Sequence, residues 1–280
     1  MHFSIMRRAV VVAAFVLLGS LAFAQNSAAP ASLHALPASS PLPFGPGETL
    51  TYNVTWSIFP AGQVVASLKQ IGAGAEDAYQ IDTLARSDGF VSLLFKIDNT
   101  YHSVFDPRTL CSRQINKTIN EGGRHKQTHI VFDSAKRMAV LDERDMGKPN
   151  HPLKHTENAI PACVEDIVTA FYDLRRQPMQ VGGKIHLPIN DGSKTHEVIV
   201  DVQAREQVQT PIGRRYAFRL EPRALGDLYK KKGRLLIWIS DDAERLPLRI
   251  KAIMLIGTIT GNLESVTHGP ATSSVGPAPN

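Results

Sequence analysis

The sequence lacks most of the motifs that identify a chemistry. Aromatic residues make up only 7% of the chain, and just two are Trp, so nothing suggests the stacking platform of a single-strand nucleic-acid binder. An activated-serine motif, a zinc-binding HExxH pair, a Walker loop and a dinucleotide-binding glycine loop are all absent. The histidines are scattered rather than clustered at metal-ligand spacing. We therefore assign no catalytic, cofactor-binding or metal-binding residue and expect no cofactor. An enzyme is left open but is not favoured.

Long apolar runs are also absent beyond the N-terminus. There, Arg7 and Arg8 precede the apolar run Ala9–Leu18 and the small-residue site Ala22–Ala24, the pattern of a secretory signal peptide cleaved after Ala24. The alternative is an uncleaved membrane anchor, but the run falls short of the ~20 apolar residues of a spanning helix. We expect a periplasmic or secreted protein with no transmembrane span after cleavage.

The remaining chain divides by composition. Residues 25–47 are rich in Ala, Ser and Pro, and residues 269–280 form a similar tail, so both are expected to be flexible. Residues 48–268 are expected to form a single β-rich domain. Removal of Arg7 and Arg8 lowers the formal charge from +5 to +3, too little to favour nucleic acid as a partner.

Most of the central region alternates polar and apolar residues, which is typical of half-buried strands. The alternation is clear over Thr49–Trp56, and a turn at Pro60–Gly62 leads into Gln63–Leu68. Further strands are predicted over 79–86, 96–105, 110–119, 124–133, 136–142, 184–190, 195–208, 214–222, 233–240, 246–254 and 256–266. Residues 143–162 show little periodicity and are interpreted as a surface excursion.

One segment changes to a helical period. Its apolar residues are Val164, Ile167, Val168, Phe171 and Leu174, and acidic residues in the first turn and arginines in the last suit the helix dipole. The sequence thus predicts a mainly β fold: a single large curved antiparallel sheet or open β-barrel with one principal amphipathic helix, about 163–176. Residues 89–95 form either one helical turn or a buried loop.

Several blocks together resemble a known family. They are Gly47–Trp56, Phe59–Gly62, Ala85–Phe90, Val164–Asp166, Phe171–Arg175, Thr210–Gly213, Lys231–Asp242 and Leu246–Arg249. In this combination, over roughly residues 47–266, the chain resembles the bacterial exported family called domain of unknown function 3108. The resemblance implies export to the cell envelope and a β-rich fold. It implies no activity, so no catalytic residue is transferred.

The two cysteines, Cys111 and Cys163, are not a CxxC redox pair. In an exported chain they favour a disulfide that closes a loop of about 50 residues. The alternative is two buried, unpaired thiols.

Two groups of charged residues are candidate sites. The basic cluster Lys230, Lys231, Lys232 and Arg234 either meets an anionic partner, such as lipid headgroups or glycan phosphates, or is a solvated turn. Arg86, Asp88 and Arg249 interrupt apolar blocks, so they either border a ligand pocket or form structural ion pairs.

Three functions remain open. The favoured one is a non-enzymatic periplasmic binding or carrier protein for an apolar or lipid-like envelope component, because a curved sheet with a helix can enclose a ligand. The second is a structural or assembly factor that binds a protein or glycan partner. The third is an envelope hydrolase whose site is not visible in the sequence.

Overall fold

The computed structural model describes residues 41–72, 74–148, 150–224, 233–255 and 257–269. The expected signal peptide, most of the leader, nearly all of the C-terminal tail and Lys230–Lys232 lie outside these residues.

Within the described ranges the chain forms fourteen strands, two α-helices and one short 3₁₀ turn, Gly74–Glu76. The elements are β1 (Glu48–Trp56), β2 (Phe59–Ile71), β3 (Ala78–Ser87), α1 (Gly89–Leu94), β4 (Asp98–Phe105), β5 (Ser112–Glu121), β6 (Arg124–Asp133), β7 (Met138–Asp145), β8 (Lys154–Ala159), α2 (Ile167–Arg176), β9 (Lys184–Asn190), β10 (Thr195–Thr210), β11 (Gly213–Ala224), β12 (Arg234–Ser240), β13 (Pro247–Met254) and β14 (Gly257–His268).

All fourteen strands belong to one antiparallel sheet, so the predicted large antiparallel sheet is confirmed. Its order is β8-β7-β6-β5-β4-β3-β2-β1-β14-β13-β12-β11-β10-β9. The order consists of two meanders, β1–β8 and β9–β14, which join where β1 pairs with β14. Strands β8 and β9 are its two edges, so the ladder does not close into a barrel.

Helix α2 packs between the two meanders. Val168 and Tyr172 belong to the apolar core of β2–β7, whereas Ala170 and Leu174 belong to the core of β9–β12. Because both sides of the helix are buried, the sheet must curve around it. The predicted principal helix is thus confirmed.

The segment before α2 links the two halves through backbone hydrogen bonds. Ser112 in β5 donates its N–H to Val164 (2.9 Å), and Glu165 donates to Pro188 (3.0 Å) and accepts from Asn190 (2.8 Å) in β9. Some backbone groups on the outer edge of β9, which would otherwise lack hydrogen bonds, are paired in this way.

The predicted disulfide is confirmed beside this link. Cys111 and Cys163 are bonded, with their Cα atoms 5.1 Å apart. The bond ties the start of β5 to the segment that leads into α2, so the covalent link and the backbone bridge reinforce the same contact.

Three local predictions differ from the structure. The turn expected at Pro60–Gly62 lies inside β2, because the β1–β2 hairpin turns at residues 57–58 instead. Lys154–Ala159, expected in a surface excursion, forms edge strand β8 and pairs with β7. Its residues are mostly exposed, so no apolar alternation marks the strand. Helix α2 begins at Ile167 rather than near residue 163, because Glu165 pairs with β9 and Asp166 is the N-cap.

A buried ion pair fixes the C-terminal end of α2. Arg175 and Glu48 have 0% and 1% of their side chains exposed and form two hydrogen bonds of 2.6 and 2.8 Å. The remaining Arg175 donors bind the carbonyls of Pro43, Glu244 and Arg245. Burial alone would lower the pKa of Arg175, but the hydrogen bonds and charge of Glu48 raise it.

We expect Arg175→Met to lower the free energy of unfolding by about 3–5 kcal/mol, because it leaves the Glu48 carboxylate buried without its partner. Urea unfolding followed by circular dichroism measures the change. The control is Arg86→Met, which breaks an exposed pair with Asp98 and should cost less than about 1 kcal/mol. Equal losses in the two variants would contradict the role given to the buried pair.

Reduction of the disulfide is expected to lower the stability by about 4 kcal/mol in the chain-entropy treatment, because the bond joins residues 52 apart. The measurement compares urea midpoints of the oxidised protein with those of Cys111→Ser/Cys163→Ser. An unchanged midpoint would show that the backbone bridge holds the segment without the bond.

Candidate functional site: an interior lysine and tyrosine without partners

The interior face of β3–β7 carries one row of polar side chains. The register pairs Thr83 with Tyr101, Tyr101 with Lys117, Lys117 with Thr128, and Thr128 with Glu143. These five residues, which we call the polar row, therefore lie side by side across five strands.

The adjacent row toward α2 is mainly apolar. It consists of Ile81, Ser103, Ile115, Ile130 and Leu141, all of them buried. The interior thus changes from apolar beside α2 to polar farther from it.

Lys117 is the most unusual member of the polar row. Burial lowers its pKa, while the charges of Asp166, Asp191 and Glu143 act in the opposite direction. No side chain in the described part of the chain forms an ion pair or hydrogen bond with its ammonium group. Lys117 nevertheless retains partial solvent exposure, so protein atoms do not fill all the space beside it.

Tyr101, the cross-strand neighbour of Lys117, also has an unsatisfied group. Only 2% of the residue is exposed, and its hydroxyl has no hydrogen-bond partner in the described residues. Burial raises the pKa of this phenol, which keeps it protonated as a donor. Asn99 acts on this phenol in the direction of a lower pKa, but its hydrogen bonds run to Glu121 (2.7 Å) and from Asn120, and it does not reach hydrogen-bond geometry with the Tyr101 hydroxyl.

The carboxylates around Lys117 already have other partners. Asp166 accepts from the N–H groups of Val168 and Thr169 at the start of α2 and from the hydroxyls of Ser103 and Ser112. It therefore serves as the helix cap.

Glu143 and Asp191 are satisfied as well. Glu143 pairs with Lys126 at 2.5 Å, and Asp191 lies 3.4 Å from His196 and accepts from two backbone N–H groups. The groups of the polar row without a side-chain partner in the described residues are consequently donors: the Tyr101 hydroxyl, which is buried, and the Lys117 ammonium, which retains partial solvent exposure. Side by side, they suit a carboxylate, phosphate or similar oxygen-bearing group.

The sequence-predicted charges do not converge on this row. Arg86 pairs with Asp98 at 3.0 Å on an exposed part of the sheet, and Asp88 is the exposed N-cap of α1. Arg249 lies on β13, where it donates to Asn262 and to the carbonyl of Gln209. Strands β2, β1 and β14 separate β3 from β13, so these charges do not form one cluster, and their role at a pocket rim stays a prediction.

The basic cluster is described only at Arg234, because Lys230, Lys231 and Lys232 lie outside the described residues. Arg234 makes two hydrogen bonds to Glu221, of 2.8 and 3.0 Å. Its charge is thus partly neutralised, while the anionic-partner role of the cluster stays a prediction.

Sequence reasoning missed Lys117 and Tyr101. A usable signal was present, because Lys117 alternates with Ile115 and Ile119 in a predicted strand and so falls on its apolar face. That pattern marks a buried lysine. It does not indicate whether another strand supplies a partner.

The family comparison extends over this site and most of the sheet. The family model described as "Protein of unknown function (DUF3108)" matches residues 51–264. The chain belongs to this family. Among curated proteins, none matches the sequence significantly.

One solved structure shares the fold of this DUF3108 protein, and a second is similar over part of it only at a low TM-score. A β-barrel-like protein of domain of unknown function DUF1849 from Brucella abortus aligns with a TM-score of 0.51 and 9% identity, covering 79% of this chain and 97% of that one. A protein with a YmcC-like fold from Bacteroides fragilis has a TM-score of 0.30 and 14% identity, covering 81% and 98%. The first likeness supports a β-barrel-like architecture.

We expect Lys117→Met to raise the free energy of unfolding at pH 7 by about 1–3 kcal/mol, because it removes a partly desolvated ammonium group that has no side-chain partner in the described residues. Since folding lowers the pKa of Lys117, the loss of stability that this lysine causes in the wild type is largest at pH values below its folded pKa. This loss of stability should become smaller as the pH rises toward the pKa of lysine in the unfolded chain. Urea unfolding between pH 7 and 10 measures both effects.

The control is Lys69→Met, in which the lost lysine is partly exposed and paired with Asp82 at 2.8 Å. It should change stability by less than about 1 kcal/mol. A destabilised Lys117→Met would indicate that this lysine supports the fold instead.

Proposed function

We propose that this protein is an exported, non-enzymatic binding or carrier protein for an amphiphilic component of the cell envelope. The ligand lies inside the curved sheet, with its oxygen-bearing headgroup against Lys117 and Tyr101. The observation that carries the proposal is the pair of donors on neighbouring interior strands, the Lys117 ammonium and the Tyr101 hydroxyl, that have no side-chain partner in the described residues. A protein retains such groups at a cost in stability, and a ligand with acceptor atoms removes that cost.

The chemistry of the interior supports an amphiphile rather than a wholly polar ligand. Ile115 and Ile130 flank the polar row on the side toward α2, and they offer apolar contact to a hydrocarbon chain. Lys117 and Tyr101 together donate to a headgroup. Binding sites of this kind combine mostly apolar walls with a few placed polar groups.

The pKa direction of Lys117 favours a negatively charged headgroup. Burial lowers the pKa of this lysine, and an anion beside it would raise that pKa again. Binding should therefore be strong while Lys117 is protonated and should weaken as pH rises through its pKa.

Export is supported by the signal-like N-terminus and by the disulfide between Cys111 and Cys163, because such bonds persist in oxidising compartments. None of the described helices is long and apolar enough to cross a membrane. A periplasmic or secreted location is therefore part of the proposal.

A direct test combines ligand recovery with binding. Organic extracts of the purified, natively exported protein are analysed by mass spectrometry, and an acidic amphiphile is the expected finding. In parallel, oleate and the uncharged oleyl alcohol are titrated into delipidated protein. We expect Lys117→Met to weaken oleate binding at least tenfold, as the loss of a charged hydrogen bond implies, with little effect on the alcohol.

The controls are Tyr101→Phe, which should weaken oleate binding less, and Lys69→Met, which should leave it unchanged. An extract without any amphiphile, together with equal oleate affinity in the wild type and Lys117→Met, would overturn the proposal. A reproducible protein crosslink under those conditions would favour the assembly-factor hypothesis.

A further inference from the structure

One end of the sheet exposes a cluster of large apolar side chains. Helix α1 lies at this end, which we call the α1 end. The connections from β1 to β2, from β3 to β4 and from β13 to β14 are located here as well. Three of the side chains are nearly fully exposed: Ile58 at 84%, Leu93 at 83% and Leu255 at 97%. The complete cluster, called the apolar tip, is Ile58, Phe59, Phe90, Leu93, Leu94 and Leu255.

Contacts between the turns hold the tip together. The Phe59 and Phe90 ring centroids are 6.4 Å apart, and Asp88 at the start of α1 donates its N–H to Ala61 in β2. On the other side, Ser57 donates its N–H to Thr258 in β14 at 2.6 Å. The β1–β2 turn, the connection containing α1 and the β13–β14 turn that carries Leu255 are therefore neighbours.

The shape of the tip fits a lipid surface better than a folded partner. The side chains exposed by more than four fifths project from two turns and from α1, and a protein partner would need a separate pocket for each. The boundary between lipid headgroups and acyl chains accepts projecting apolar groups without such pockets. Scattered exposed apolar residues are ordinary, but a contiguous cluster indicates an interaction site.

The charges favour a negatively charged surface. Lys96, which directly follows α1, is exposed, and its ammonium group has no ion pair in the described part of the chain. The described turns at this end also contain the basic residues Lys148 and Lys194 and the acidic residues Asp88 and Asp191, so basic residues are in the majority.

The opposite end, where Glu48 and α2 lie, is more acidic. Its turns between strands carry Glu76, Asp77, Asp106, Asp241, Asp242 and Glu244, against Arg108, Lys136, Arg137 and Arg245. Anionic lipids would attract the α1 end and repel the other end, which orients the molecule.

We propose that the apolar tip docks on an anionic lipid bilayer, with Ile58, Leu93 and Leu255 inserted among the headgroups and Lys96 beside lipid phosphates. This surface is separate from the polar row, so the proposal does not depend on an interior ligand. Lys117→Met should therefore bind vesicles as the wild type does.

The test uses the full mature chain and vesicles of phosphatidylglycerol and phosphatidylethanolamine, with pure phosphatidylcholine vesicles for comparison. We expect wild-type protein to float with the anionic vesicles, and less so in high salt. Leu93→Glu/Leu255→Glu should reduce the bound fraction at least tenfold. Trp56, which lies beside Gly257 at this end, should show a blue-shifted fluorescence only when the tip is docked.

Val181→Glu is the matched control, because Val181 is an exposed apolar residue in the turn between α2 and β9. It should float like the wild type, while Lys96→Gln should weaken binding mainly at low salt. Since all these side chains are exposed, circular dichroism should show intact folding. Undiminished flotation of the Leu93/Leu255 variant would overturn the proposal. So would a concentration-dependent dimer, seen by sedimentation, that the same two substitutions abolish.

Discussion

The ion pair between Arg175 and Glu48 is the constraint on which much of the assembly depends. It joins the end of α2 to the start of β1, the strand at which the two meanders meet. The ring centroids of Phe44 and Tyr172 lie 4.9 and 5.2 Å from the Arg175 guanidinium carbon. The two rings help to exclude water from the ion pair. Because a desolvated guanidinium tolerates few alternative arrangements, the pair determines where the helix lies. The rest of the curvature follows, since each meander packs its apolar face against α2.

Most of the buried charges have partners, although Glu165 Oε2 and Arg245 Nη1, like the hydroxyls of Tyr101 and Tyr172, have none in the described part of the chain. Asp166 accepts five hydrogen bonds, and Arg175 meets both a carboxylate and three carbonyls. Lys117 and Tyr101 lie on the adjacent strands β5 and β4, and in the described residues neither has such a set of hydrogen-bond partners. Buried polar groups in native proteins are nearly always paired, and this couple is therefore where we place the proposed ligand. Local rules are most often broken where function requires it.

Much of the fold could be predicted from the sequence because its strands alternate cleanly. Tight turns and period-two patterns identified nearly every strand, and the 3.6-residue period identified α2. Strand β8 was missed because an edge strand exposed on both faces has no apolar pattern to detect. The start of α2 was misplaced because Glu165 pairs with β9, a contact remote in sequence. The candidate site could be predicted only in part: an apolar-face lysine is visible in β5, but the lack of a partner is a property of the neighbouring strands.

The sequence by itself determined the mainly β architecture, the family and the expectation of export, and it favoured the pairing of Cys111 with Cys163 that the structure shows. These follow from local periodicity, composition and motif blocks, which need no knowledge of distant contacts. Tertiary structure alone decided that β14 pairs with β1, that Glu48 meets Arg175 and that Tyr101 lies beside Lys117. It also gathered Ile58, Leu93 and Leu255 at one end. The physical reason is that most neighbouring strands follow each other in sequence, whereas the β1–β14 pairing, the exact register and the contacts with α2 join residues that are far apart in the chain.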